Sequence, residues 1–131
     1  MTNIDLSSFK SLYIQTSREY LNKLQQSLEI LLKDPGNSDA INAIHISVHS
    51  LTTQAAITGY KNVESLCIII ERTFKKLKEE GGTGRHLPKV PEELLTSLKE
   101  AIKSLSECID SIEKNDKEID LSDMINRLEK I

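Results

Sequence analysis

The chain has 131 residues, which suits one domain, since domains cluster near ~100–150 residues, and its 20 acidic and 17 basic side chains leave a formal charge of −3. That balance argues against nucleic acid, whose binding needs clustered Lys and Arg; the longest basic cluster, Arg72 to Lys78, is interleaved with apolar residues and reads as a solvated helix face. No stretch approaches the ~20 apolar residues of a membrane span, and Met1 to Asp5 lacks the basic start and apolar run of a signal peptide, so a soluble, cytoplasmic protein is expected.

Helical periodicity dominates, and alternating β-branched runs are absent. A first helix is predicted from about Asp5 or Ser7 to Lys33, with Leu6, Phe9, Leu12, Tyr13, Tyr20, Leu24, Leu28 and Leu31 as its apolar stripe. Asp34-Pro35-Gly36-Asn37 ends it, because a residue before proline avoids helical angles. Asn37 or Ser38 caps a second helix that buries Ile41, Ile44, Val48, Leu51 and Ala55 and stops at Gly59. A third helix starts near Lys61 and buries Val63, Leu66, Cys67, Ile70, Phe74 and Leu77. Glu80-Gly81-Gly82-Thr83-Gly84 closes it, and a loop runs on to Pro91. The fourth helix opens there, with Glu92 and Glu93 in its first turn, and its stripe runs from Leu94 to Ile112. After a break at Asn115-Asp116, Asp120 or Ser122 caps a short fifth helix with Leu121, Met124, Ile125 and Leu128. The expected fold is all-α: an antiparallel up-down-up-down four-helix bundle over about 5–115, with a short C-terminal helix over about 120–130, in one domain spanning 1–131. Cys67 and Cys108 fall at apolar helical positions and read as small buried hydrophobes rather than a disulfide or metal pair.

His49 is the residue on which function turns. It is rotated ~100° from Val48 and so stands at the edge of the second helix's apolar stripe, partly wet and reachable. Its neighbours on that face are His45 and Ile46 before it and Thr52, Thr53 and Ala56 after it. A neutral imidazole nitrogen is a competent nucleophile. Glu71 follows Ile70 on the third helix and also stands just off a core stripe. His49 lies ten residues before the turn at Gly59-Tyr60 and Glu71 twelve after it, so the two sit near the same level of a helix hairpin. A carboxylate there can accept the Nδ1–H and leave Nε2 free; the alternative is that Glu71 is a surface residue paired with Lys75.

The segment around His49 resembles the signature of histidine-containing phosphotransfer (HPt) domains: histidine, leucine two later, lysine three later, glycine four later and glycine ten later. His49, Leu51 and Gly59 match, while Thr52 and Thr53 stand at the lysine and first glycine positions. The likeness is to the N-terminal phosphotransfer domains of chemotaxis sensor kinases (CheA), through Tyr13 to Leu21, Lys33-Asp34-Pro35, Ser65-Leu66-Cys67 and Glu71, and it spans roughly residues 9–115. Many such domains carry histidine where this chain has Ile68.

This resemblance implies a four-helix bundle whose second helix accepts a phosphoryl group on His49 from a histidine-kinase catalytic domain and passes it to the aspartate of a response-regulator receiver, with Glu71 holding the ring and Thr52 and Thr53 flanking it. No Gly-rich phosphate loop is present, so the chain has no ATP site of its own, and whether it counts as an enzyme depends on whether it is the N-terminal part of a kinase. No cofactor and no metal are expected, and the isolated domain is expected to be monomeric. Two alternatives stand beside it. One is a degenerate bundle that binds a partner without being phosphorylated, suggested by Thr52, Thr53 and Ile68. The other is a metal site at His45 and His49, which lacks a plain third ligand unless the loop brings in His86.

Overall fold

The computed structural model describes residues 6–80 and 89–131, with side chains from Ser8 onward. Five helices follow in order: α1 (Leu6–Lys33), α2 (Ser38–Thr58), α3 (Lys61–Glu80), α4 (Glu92–Asn115) and α5 (Ser122–Glu129). No strand occurs among the described residues. Residues Gly81 to Pro88, including His86, lie outside the described residues.

Local chemistry sets the helix ends. Asn37 Oδ1 accepts the Ala40 N–H at 2.9 Å and caps α2. Gly59 takes φ 85°, the left-handed position past a helix end, and its N–H donates to Ala55 O at 2.9 Å. The start of α3 is capped from a distance. Glu118, in the connection between α4 and α5, accepts the Val63 N–H at 2.9 Å, while Asn62 Oδ1 accepts the Leu121 N–H at 3.1 Å. At the other end of the bundle the Val90 N–H donates to Pro35 O at 2.9 Å and ties the α3–α4 connection to the α1–α2 turn. The expected caps of α5 are replaced by Leu121, which makes no side-chain cap bond. Asp120 instead accepts the Ser122 N–H at 2.9 Å one residue earlier in the turn.

The core runs along the bundle axis, with Leu24, Leu28, Leu31, Ile41, Ile44, Leu66, Phe74, Leu105 and Ile109 fully enclosed. Contacts between helices are most extensive between α2 and α3, then between α1 and its neighbours α2 and α4. The α3–α4 seam is thin, and α5 packs against both helices along it, burying Met124 and Leu128 together with the preceding Leu121. The fifth helix is thus part of the core rather than an appendage.

The predicted stripe of α1 needs correction at its start. Phe9 and Leu12 are 59 % and 60 % exposed, and Tyr20 is half-buried, whereas Ile14, Ser17 and Leu21 are buried. The physical reason is rotation: at ~100° per residue the buried stripe runs through Tyr13, Ile14, Ser17, Leu21, Leu24 and Leu28, and Phe9 and Leu12 are turned off it toward solvent. Tyr13 stacks on Tyr60, ring centroids 4.8 Å apart. The side chain of Leu6 lies outside the described residues. An exposed fork joins α1 to α4: Arg18 donates from both Nη atoms to the two oxygens of Glu113 and also to Asp110. That fork holds the Glu113 carboxyl below its ordinary range.

Candidate functional site

Two helices build the site. On α2 the buried positions Ile41, Ile44, Val48, Leu51 and Ala55 fix the rotation of the helix, and His49, one residue past Val48, is turned outward. On α3 the buried Ile70 and Phe74 do the same for Glu71. The two polar side chains then meet across the seam: His49 Nδ1 lies 2.7 Å from Glu71 Oε2. The imidazole side chain is 64 % exposed and the carboxylate 22 %. This asymmetry fits a carboxylate held by packing and a ring presented to solvent. With Nδ1–H donated to Glu71, the Nε2 lone pair faces outward.

Glu71 makes this bond rather than an ion pair with Lys75, its neighbour one turn on.

Thr52 and Thr53 flank the ring on the following turn. Both hydroxyls are turned back into their own helix: Thr52 Oγ1 donates to Val48 O at 2.8 Å and Thr53 Oγ1 donates to the His49 carbonyl at 3.0 Å. Neither hydroxyl is thereby directed to the side chain of His49, and Ile68 on α3 is half-buried. One turn before His49 the chemistry is different. Lys78 Nζ donates to Asn42 Oδ1 at 2.7 Å and lies 3.3 Å from His45 Nδ1. Burial, and then the Lys78 charge, push the His45 imidazole below its ordinary range.

Sequence reading missed the Asn42–Lys78 bond. Its signal was present: Asn42 precedes His49 by the same number of residues as Lys78 follows Glu71. Among the described residues no group of three His, Cys, Asp or Glu is gathered so as to hold a metal ion. His45 and His49 thus lack a third ligand there, and His45 Nδ1 faces an ammonium. Cys67 and Cys108 are buried and unpaired, and burial pushes both thiols up. No helix among the described residues is long and apolar enough to cross a membrane.

A helical bundle with an outward histidine on its second helix, steered by a glutamate on its third, is the geometry of a phosphotransfer module. The chain belongs to the Hpt domain family, which matches residues 8–130. It is 24 % identical over 127 residues to the chemotaxis protein CheA of Bacillus subtilis (strain 168), a match covering 96 % of this chain and 18 % of that protein. The chain therefore spans under a fifth of the length of that relative. Its fold is similar to the phosphorylated P1 domain of CheA3 from R. sphaeroides, crystallised in complex with CheY6, at a TM-score of 0.82 and 16 % identity over 94 % of each chain.

Proposed function

We propose that His49 is the phosphoacceptor of this Hpt domain, taking a phosphoryl group from a histidine-kinase catalytic domain and passing it to a receiver aspartate. The observation that carries this reading is the 2.7 Å contact between His49 Nδ1 and Glu71 Oε2 beside an exposed ring. Glu71 keeps the proton on Nδ1, so the Nε2 lone pair attacks the γ-phosphorus of ATP bound to the kinase. The new N–P bond forms as the bond from phosphorus to the β,γ-bridging oxygen breaks, and ADP leaves with that electron pair. The phosphorylated ring is an imidazolium, and its Nδ1–H stays paired with the carboxylate. In the return step a receiver carboxylate oxygen attacks phosphorus, and Nε2 leaves with its electron pair as a neutral nitrogen.

The surface suits docking by a partner. Ile46 lies one turn before His49, and Ile57 farther along α2; both are exposed, and Phe9 and Leu12 add exposed apolar area near the start of α1. Of the similar proteins, one is the chemotaxis protein CheA and the other is a phosphorylated P1 domain crystallised in complex with CheY6, which supports a phosphorylated domain that docks a partner protein. On this reading the whole chain is one phosphotransfer domain working in the cytoplasm. Incubation with a histidine-kinase catalytic core and ATP, followed by mass spectrometry, tests it. Acid-labile phosphate on His49, lost in His49→Gln, is the expected result; an unlabelled His49 overturns it.

A second reading is a module that binds partners without being phosphorylated. It rests on Thr52 and Thr53, whose hydroxyls are committed to their own helix, and on Ile68. It predicts that His49→Gln leaves partner binding and signalling intact.

A further inference from the structure

Phosphorylation of His49 brings two negative charges to a surface where Glu71 already supplies one. A cation beside Nε2 relieves that crowding and attracts an anionic phosphoryl donor. The flank of His49 toward the C-terminus of α2 offers none, since Thr52 and Ile68 are uncharged.

The opposite flank is basic. The bonds Asn42–Lys78 and His49–Glu71 lie seven residues apart on each helix, so α2 and α3 keep one register between them. The residue three on from Asn42 and the residue three back from Lys78 face each other on the rung between: His45 and Lys75. Lys75 lies close enough for its charge to act on His45, as do the Glu71 and His49 charges. Lys75 is exposed, and among the described residues it enters no hydrogen bond or ion pair. Lys78 is held at the far rung by Asn42 and His45, which leaves Lys75 as the exposed cation one turn along α3 from Glu71.

We propose that Lys75 is the positioning cation for the phosphoryl group on His49, with His45 and the anchored Lys78 forming the wall that keeps its ammonium on that side of the ring. This deepens the phosphoacceptor reading and rests on it. Lys75 acts by charge alone: it neither gives nor takes a proton, and it swings over Nε2 as the phosphoryl group arrives.

The test uses phosphoramidate, a small donor that needs no kinase. The His49 Nε2 lone pair forms the N–P bond while the donor's own P–N bond breaks and ammonia leaves with that electron pair, so no further reactant is needed. The labelling rate is followed by intact mass, with the site located by fragmentation, in the wild type, Lys75→Gln, Lys75→Arg and the double variant Lys75→Gln with Thr52→Lys. Lys75→Gln is expected to label about three- to five-fold more slowly, the range of one exposed charge pair. Lys75→Arg keeps the wild-type rate. Thr52→Lys, placing an ammonium on the opposite flank, restores the rate lost in Lys75→Gln. The wild-type rate falls with added salt, whereas that of Lys75→Gln does not. Equal rates and equal salt dependence in wild type and Lys75→Gln overturn the role of Lys75 while leaving His49 as acceptor. A wild type that takes no label on His49 overturns both.

Discussion

At the scale of single residues, one carboxylate meets one imidazole: Glu71 and His49. A free histidine divides its proton between two nitrogens; in the proposed mechanism the Glu71 contact at 2.7 Å holds it on Nδ1 and leaves Nε2 free to react. Replacing Glu71 by alanine removes the acceptor and leaves the ring free to rotate. Phosphorylation of His49 is expected to slow about ten-fold, equivalent to ~1.4 kcal/mol, the size of one hydrogen bond to a charged group. Thermal stability should hardly change, because the pair lies at the surface. Kinase labelling rates and melting curves for Glu71→Ala check both halves; an unchanged rate would deny Glu71 its role. Much of this pair was legible in the sequence. His49 stands one step past Val48 and Glu71 one step past Ile70, and the turn at Gly59 sets their level. The chemistry of Thr52 and Thr53 was not, because a threonine hydroxyl chooses between solvent, a neighbour and its own helix only once χ1 is set; here both chose the carbonyl one turn back.

At the scale of elements, the helices follow from apolar spacing and from two breakers, Pro35-Gly36 and Gly59, whose backbone requirements no side-chain pattern overrides. What the sequence hid is nonlocal. Phe9 and Leu12 are apolar, yet both are turned off the buried stripe that Ile14, Ser17 and Leu21 define, and only the packing of α1 against its neighbours decides which of two candidate stripes faces inward. The cap of α3 was equally hidden, since Glu118 comes from a connection two helices away. Glu118→Ala leaves the Val63 N–H without its acceptor and should cost ~1 kcal/mol, the usual worth of a helix cap. Urea denaturation checks this: the midpoint drops with an unchanged slope, whereas an unmoved midpoint would mean that water serves Val63 equally well. The same carboxylate holds the α4–α5 connection against α3, so the start of α5 should also lose hydrogen-exchange protection.

At the scale of the whole molecule, the bundle gives the histidine a fixed platform. Stability resides in the enclosed leucines and isoleucines and in α5, which covers the thin α3–α4 seam; the proposed phosphoacceptor stands on the outer rim of the α2–α3 hairpin. The two meet in the titration of His45. Its folded value is depressed below the ordinary 6.5, first by burial and then by Lys78. The unfolded chain therefore binds that proton more readily. Stability is full above about pH 6.5 and declines as pH falls through the depressed folded value. Glu113, lowered by Arg18, and Asp120, lowered by Ser122, add a second loss below the ordinary carboxylate values of 4.5 and 3.8. Denaturant midpoints at pH 7.5 and pH 5.5 are expected to differ in the wild type and to converge in His45→Gln. A difference that persists in the variant would assign the titration elsewhere.

The most direct measurement of the central claim is the identity of the phosphorylated nitrogen. Two-dimensional nitrogen–phosphorus NMR on the kinase-labelled, 15N-enriched domain resolves which ring nitrogen of which histidine carries phosphorus. Coupling to Nε2 of His49, with the proton on Nδ1, is the predicted result. Coupling to Nδ1 of His49, or to either nitrogen of His45, would contradict it.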